Sequence, residues 1–417
     1  MSQTRVWKRL LGVEHTVIEG IELDGEGEDE VLVVCVRPTR SRCSRCSRCD
    51  KRCPGYDQGE GRRRWRAPDV GLIVCHLEAD APRVRCEAHG VVVAAVPWAR
   101  ARARHTRAFE DTCAWLTAHA PASVVATYLR VAWRTVTDIV TRVVDDRAGQ
   151  SDRLEGLRRI GIDEIAHRKG QRYITVVICH ETGRIVWAHE GRNQETMRLF
   201  FDELGKSRSW KLTHVSADGA EWIHTVVAER AMNARICLDP FHVAQWATEA
   251  VDEVRRQLAS DLRAEGRTEE AKSLKNSRWA LLHNNYALNV DQRARLATIA
   301  ATNNGLYRAY LLKEQLLGVI HLKGYAASHI ILKKWLSWAK RCRIEPFVKL
   351  ARTIENYKPY LENTLNSGLS NARSEATNTH LRVLTRRSYG FHSAEALIAM
   401  AMLTRGGLCP DLPGRAA

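Results

Sequence analysis

The period of the apolar positions changes several times along the chain, and those changes divide it. Residues 31–98 show the two-residue period of short strands joined by basic, cysteine-rich turns. Val31 to Arg37 alternates around Cys35, Gly71 to Leu77 alternates around Cys75, and Val91 to Val96 runs apolar. From 105 to 146 the period lengthens towards 3.6, the mark of amphipathic helices. The run PASVVATYLRVAWRTVTDIVTRVVDD reads as two helices broken by a short turn at 131–132. That is a helix-turn-helix shape, and its second helix opens with Trp133, Arg134, Thr135 and Asp138, placed to meet phosphates or base edges. Residues 158–246 then predict strands at 158–166, 173–179 and 184–189, a helix at 195–204 and a strand at 212–217. A helix at 221–231 and a strand at 234–238 complete this stretch. Residues 247–365 are helical in pattern nearly throughout, with amphipathic runs such as IILKKWLSWAKR, and a last helix at 372–386 follows the turn NSGLSN.

Three strands, a helix, a strand, a helix and a strand is the chain order of an RNase H-like α/β core, a meander followed by helical crossovers. The predicted sheet is mixed rather than doubly wound, and no glycine-rich phosphate loop follows its first strand.

Charge changes the picture next. The chain holds 64 Lys and Arg against 48 Asp and Glu, a formal charge of +16. A polyanion is the default partner of such a surface, because each phosphate contact releases a condensed counterion. No stretch approaches the roughly 18 apolar residues that span a bilayer. The start, MSQTRVWKRLLGVEHTV, has neither the apolar core nor the cleavage site of a signal peptide. Both observations predict a cytoplasmic protein without a membrane partner. Its twelve cysteines would be reduced there, so clustered ones read as metal ligands.

Such a cluster exists. RCSRCSRCDKRC brings Cys43, Cys46, Cys49 and Cys53 together, and RCEAH supplies Cys86 and His89. Two paired-ligand turns separated by strands make a zinc-ribbon pattern for one structural Zn²⁺. Spacing leaves the first pair open between Cys43/Cys46 and Cys46/Cys49. Cys35 and Cys75 sit in apolar strands and read as core.

The acids supply the candidate chemistry. Asp163 lies in RRIGIDEIAH, on the opposite strand face from Ile160 and Ile162. A carboxylate in mid-strand is unfavourable unless it has a partner such as a metal. Asp218, in THVSADGAEW, ends the fourth strand. Further on, Asn371, Glu375, Asn378 or Thr379, and Arg382 fall on one polar helix face. Cleaving a phosphodiester in line needs an activated water on one side and a neutralised leaving oxygen on the other, and two ions on a few carboxylates do both.

The runs IGIDE, VSADGAEW, LDPFHVAQWATEAVDEVRR and GLSNARSEATNTHLRVLTRRSYGF together resemble insertion-sequence transposases of the ISL3 type, which are DDE transposases. The resemblance covers nearly the whole chain. It implies that Asp163, Asp218 and Glu375 are the catalytic triad holding two Mg²⁺ or Mn²⁺ ions, and that 247–365 is a helical insertion before the last acid. It favours Cys46 and Cys49 as the first zinc pair. DPFH, with Asp239 and His242, is similar to the C/D-x-x-H element of related transposases. Asp239 is then either the second metal ligand or a supporting neighbour, and strand order favours Asp218.

The expected parts are an N-terminal segment at 1–30, a zinc module at 31–98, a helix-turn-helix at 99–150 and a first core part at 151–246. The helical insertion at 247–365, a final core helix at 366–405 and a tail at 406–417 follow. The implied activity is metal-dependent strand cleavage and transfer at terminal inverted repeats. Its partners would be double-stranded transposon ends and target, bound by a homodimer on the bacterial nucleoid, with Trp133, Arg134, Thr135 and Arg382 meeting DNA. A catalytically silent regulator and a structure-specific RNase H-like nuclease are the alternatives. The intact acids argue against the first. The separate sequence-reading modules argue against the second.

Overall fold

The computed structural model describes residues 3–168, 172–322, 325–369, 372–388 and 390–415, and Asn371 lies outside them. The chain folds as two compact units, 1–153 with 383–417, and 154–382.

In the first unit, helix α1 (Gln3–Leu10) precedes strands β1 (Thr16–Asp24), β2 (Val31–Pro38), β3 (Gly55–Asp57), β4 (Arg62–Val70), β5 (Ile73–Asp80), β6 (Arg83–Cys86) and β7 (Gly90–Val93). Four of them form a sheet in the order β1-β2-β5-β4, and β3-β6-β7 form a second, small sheet. The larger sheet buries Val34, Trp65, Ala67 and Leu77 with Leu11 and Trp98. The sequence reading left 1–30 as a segment outside the module. β1 instead pairs along its length with β2, completing the sheet edge. Strand β4 was also hidden, because RRRWRAPDV reads as a charge run. Trp65 and Ala67 are buried and Val70 packs on the same core, while Arg62 (3.1 Å) and Arg64 (2.6 Å) pair across the strands with Glu78.

Three helices follow, α2 (Arg107–His119), α3 (Ala122–Leu129) and α4 (Trp133–Ala148). Thr106 caps α2, its side chain accepting from the Phe109 amide. α3 ends at Arg130, which takes the left-handed conformation (φ 56°, ψ 47°) and turns the chain into α4. Within the basic run PWARARARHTR, Arg100 is buried and taken up inside the unit, bonding Glu110 (3.1 Å), Asp111 (2.7 Å) and Asp146 (2.8 Å).

The second unit opens with a five-stranded sheet of β8 (Arg159–Arg168), β9 (Arg172–Cys179), β10 (Ile185–Glu190), β11 (His214–Ala217) and β12 (Arg235–Leu238). Its order is β10-β9-β8-β11-β12. The first three strands are an antiparallel meander. β11 runs parallel to β8, and β12 parallel to β11. Helices α5 (Gln194–Leu204), α6 (Lys206–Ser209) and α7 (Glu221–Arg230) make the connections. Ile160, Ile162 and Val215 pack on Phe200 and Val227 in one core. Period two then sends Gly161 and Asp163 to the other face.

Eight helices follow β12: α8 (Pro240–Ala264), α9 (Thr268–Asn276), α10 (Arg278–Leu282), α11 (Val290–Thr302), α12 (Asn304–His321), α13 (Ala327–Arg341), α14 (Glu345–Asn356) and α15 (Lys358–Ser367). They share a core that includes Tyr310, Trp335 and Phe347. Fully buried Lys313 donates to the carbonyls of Leu281 (2.9 Å) and His283 (2.9 Å), closing the end of α10. The chain then enters α16 (Ala372–Arg387) and passes into the first unit from Val383. Of the expected final core part at 366–405, the residues from Val383 on lie in the first compact unit. α17 (Ala394–Arg405) packs on α4 and α2, and its apolar face (Leu397, Met400, Leu403) covers the helix-turn-helix. Among the described residues no helix is long and apolar enough to cross a membrane.

Candidate active site and metal centre

The zinc module presents its donors ready-made. Cys46, Cys49, Cys86 and His89 offer ligand atoms that all lie within 4.8 Å of one another. The Cys46 and Cys86 sulfurs each stand 3.6 Å from His89 Nδ1, and the Cys49 and Cys86 sulfurs are 3.8 Å apart. A tetrahedral zinc with ordinary bond lengths needs S···S edges of about 3.8 Å and S···N edges of about 3.6 Å. The donors therefore fit Zn²⁺ without rearrangement. The Arg48 amide donates to Cys46 Sγ at 3.4 Å, which orients the first turn. The register is Cys46/Cys49, since the Cys43 thiol turns away to the Arg40 carbonyl at 3.1 Å. Cys53 packs in the same small core but stands outside the four.

The helix-turn-helix places its candidate residues unequally. Arg134 and Asp138 are exposed on α4, and Thr135 is half-buried. Trp133 stacks on His392 with ring centroids 4.8 Å apart, so one face of the indole is occupied. Arg387 donates to the carbonyls of Thr117 (3.2 Å), His119 (3.3 Å) and Ala120 (3.3 Å), capping the end of α2.

In the second unit the acids converge across the sheet. β8 and β11 pair from Arg159/His214 to Gly161/Ser216, and β11 and β12 from His214/Arg235 to Ala217/Leu238. Continuing both registers sets Asp163, Asp218 and Asp239 at one level on three neighbouring parallel strands. Asn378 of α16 donates to Asp163 Oδ2 at 2.6 Å, which brings the helix of Glu375 over the same place. Burial pushes the Asp163 carboxyl up to about 6, and the charges of Asp239 and Asp218 add to the rise. Glu375 is also raised, by burial and then by Asp239, with His242 opposing. Glu164 rises to about 7, through burial and the Asp218 charge, against an ion pair with Arg192. Among the described residues, no three of these carboxylates gather their oxygens within 4.8 Å. Five acids, each of which feels or exerts the charge of at least one other, are a set whose repulsion a divalent cation would relieve.

Local structure fixes each acid. The Asp218 carboxylate accepts from the Ala220 amide at 2.9 Å, and Tyr357 donates to the Gly219 carbonyl at 2.8 Å, pinning that turn from α14–α15. Asp239 is buried and caps α8, accepting from the Phe241 amide at 3.0 Å, with Pro240 at the first helical position. α16 seats on the sheet where Gly161 leaves room. A Cβ there would stand 2.8 Å from Ser374 Oγ, 3.2 Å from His180 Nε2 and 3.3 Å from Ser216 Oγ. His180 and Ser216 are hydrogen-bonded at 2.7 Å, and burial holds His180 neutral by lowering it to about 4. Exposed Arg382 lies two turns beyond Glu375 on α16. Sequence reasoning missed Tyr357 and His180, which carry no motif, and Ser374, which sits inside the GLSNARSEATNTHL run without a role assigned to it. The acid pair Asp163-Glu164 was the one visible hint of a second perturbed carboxylate.

A mixed sheet with converging acids, a zinc ribbon and a helix-turn-helix define a DNA-handling recombinase, and comparison agrees. Residues 160–401 match a transposase family of the DDE class, ISL3. Residues 94–144 match the helix-turn-helix domain of transposase family ISL3, and 42–89 match the zinc-finger of transposase IS204/IS1001/IS1096/IS1165. The chain is 47% identical over 437 aligned positions, with all of it and 98% of the relative covered, to the transposase for insertion sequence element IS1557 of Mycobacterium tuberculosis, strains CDC 1551 / Oshkosh and H37Rv. It is 25% identical over 334 positions, 79% of this chain and 82% of the relative, to the transposase for insertion sequence element IS1001 of Bordetella parapertussis. The chain belongs to the ISL3 family of insertion-sequence transposases.

Proposed function

We propose that the protein cuts and joins transposon ends with an RNase H-like core, in which Asp163, Asp218 and Glu375 hold two Mg²⁺ ions. The observation that carries this is the level placement of Asp163 and Asp218 on adjacent parallel strands, with Asn378 tying the helix of Glu375 to Asp163. The strand order, meander first and parallel crossovers after, supports the RNase H-like reading, and α8–α15 between β12 and α16 supports an insertion before the last acid. Bound divalent ions supply an activated water or 3′-hydroxyl on one side of the scissile phosphate and charge neutralisation on the other. The chain's own part is to present carboxylates that lose their protons as the ions bind, and to hold them in register through Asn378 and Tyr357. Arg134 of α4 and Arg382 of α16 meet the DNA, the zinc ribbon and helix-turn-helix read the terminal repeats, and two protomers hold two ends.

A specific observation keeps Asp239 in competition as the second acid. Its charge is felt by both Asp163 and Glu375, whereas Asp218 acts on Asp163 and Glu164. Asp239 is, however, buried and committed to capping α8, while Asp218 is half-buried and open. The test is strand cleavage of a labelled duplex carrying a terminal repeat, with Mg²⁺. Asp218→Asn and Glu375→Gln should each abolish cleavage and keep end binding. Cleavage lost in Asp239→Asn but kept in Asp218→Asn would reassign the second acid. A wild type that binds ends but never cuts them would make the protein a regulator.

A further inference from the structure

One face of α13 is built for a polyanion, and neither the proposed active site nor the end-reading modules use it. Lys333, Lys334, Ser337, Trp338 and Arg341 line a shallow groove of about 560 Å³ along this helix. The three cations and Ser337 are exposed, and Trp338 is half-buried against the helical core. Their spacing of three and four residues puts them in one stripe. Arg341 is held in place, its Nη2 donating to Ser337 Oγ at 2.6 Å and its Nε to the Ser337 carbonyl at 3.0 Å. A guanidinium oriented in advance loses less freedom when it meets a phosphate. Among the described residues, no carboxylate pairs with Lys333, Lys334 or Arg341, whereas the neighbouring Lys340 is paired with Glu355 on α14. The pairing is therefore selective. The cation turned towards α14 is neutralised and the three lining the groove are not.

We infer that this face of α13 binds the phosphate backbone of duplex DNA without reading its sequence. From Lys334 to Arg341 the stripe is about 10 Å long at the rise of an α-helix. Duplex DNA carries one charge per roughly 1.7 Å of axis, so about six phosphate charges pass within that length. Two lysines are suited to diffuse phosphate contact, the fixed arginine to a bidentate one, and the indole gives the sugar edge an apolar wall. The groove offers the lysines and the arginine, and no acceptor other than Ser337 that could distinguish bases. This inference rests on the transposase reading, because it assigns that enzyme's helical region a share of its DNA.

The test uses the full-length, zinc-loaded protein and two duplexes of equal length, one with a terminal repeat and one without. Affinity is measured as a function of KCl. The K333A/K334A/R341A variant should reduce the slope of log K against log salt by about 2 to 3 on both duplexes, since each lost phosphate contact removes close to one. K333R/K334R should restore the wild-type slope. Should the triple variant lose its melting transition, R341A and K334A, each lowering the slope by about one, carry the same decision. An unchanged slope, or a loss confined to the repeat-bearing duplex, overturns the inference. Wild type that cuts ends while the variant keeps its slope sinks this surface alone. Wild type that binds neither duplex sinks the transposase mechanism with it.

Discussion

The zinc knuckle and the acidic centre are both candidate metal sites, yet they are built in opposite ways. The knuckle gathers four donors within 4.8 Å on two short turns, three of the distances already at the edge lengths of a zinc tetrahedron. The acids stand apart on three strands and a helix, and two of them, Asp163 and Glu164, are pushed up to about 6 and 7 by burial and by neighbouring carboxylate charges such as Asp218. A structural ion is held closed and contributes directly to folding, whereas a catalytic one needs open positions for substrate and is bound by groups that resist ionising without it. On the proposed two-metal reading, the contrast separates an ion that makes the fold from ions that use it.

The largest effect should come from breaking the first. Cys86→Ser should take zinc from roughly one per chain to near zero and open the small sheet to protease, with end binding lost. Metal analysis and limited proteolysis check it, and retained zinc would show that Cys53 replaces the missing thiol. Asp163→Asn should instead leave zinc and the fold intact and lower cleavage by on the order of 10²–10³-fold or more. Equal loss of zinc would erase the distinction.

Seating α16 gives an intermediate effect. Gly161→Ala drives a methyl to within 2.8 Å of Ser374 Oγ and should cost about 10- to 100-fold in cleavage, through a displaced Glu375. Adding Ser374→Gly should recover part of it while Gly161→Ala alone keeps DNA affinity. Without that recovery the seating role fails. In the first unit, Arg134→Ala should weaken end binding about tenfold and keep its zinc, and unchanged binding would remove α4 as the reading helix.

The smallest effect is on pH. Asp163 has a folded pKa of about 6. That lies above its unfolded value of about 3.9, so the fold holds the proton more tightly than the unfolded chain does. Stability from this group is complete below the unfolded value and is lost as pH rises through 6. Zinc-loaded protein free of Mg²⁺ should melt a few degrees lower at pH 8 than at pH 5. Mg²⁺ should raise the melting temperature more at pH 8, where the carboxylate is free to bind. A flat profile would mean that Asp163 is not held protonated.

Period alone located the meander, the crossover helices and the turn between α3 and α4, because each is set by which neighbours within a few residues are apolar. β8 to β12 and α16 fall within a few residues of their expected places for that reason. The zinc ligands were legible as two local pairs, down to one register choice that the turned-away Cys43 resolves. β4 was not legible, since its arginines are tolerated through partners on other strands, Glu78 on β5 and Asp24 on β1 among them. Nor was the return of 383–417, since nothing within α17 says which helices its apolar face will cover.

The sequence by itself determined the elements, the zinc pairs and the residue types able to hold metal, because those depend on spacing along one chain. Only the tertiary structure decided which acids share a level, that Gly161 admits α16, that Tyr357 pins the Asp218 turn, and that Lys340 is paired while its neighbours are not. Those are distances between segments far apart in sequence, set by strand register and helix packing, which no local pattern encodes.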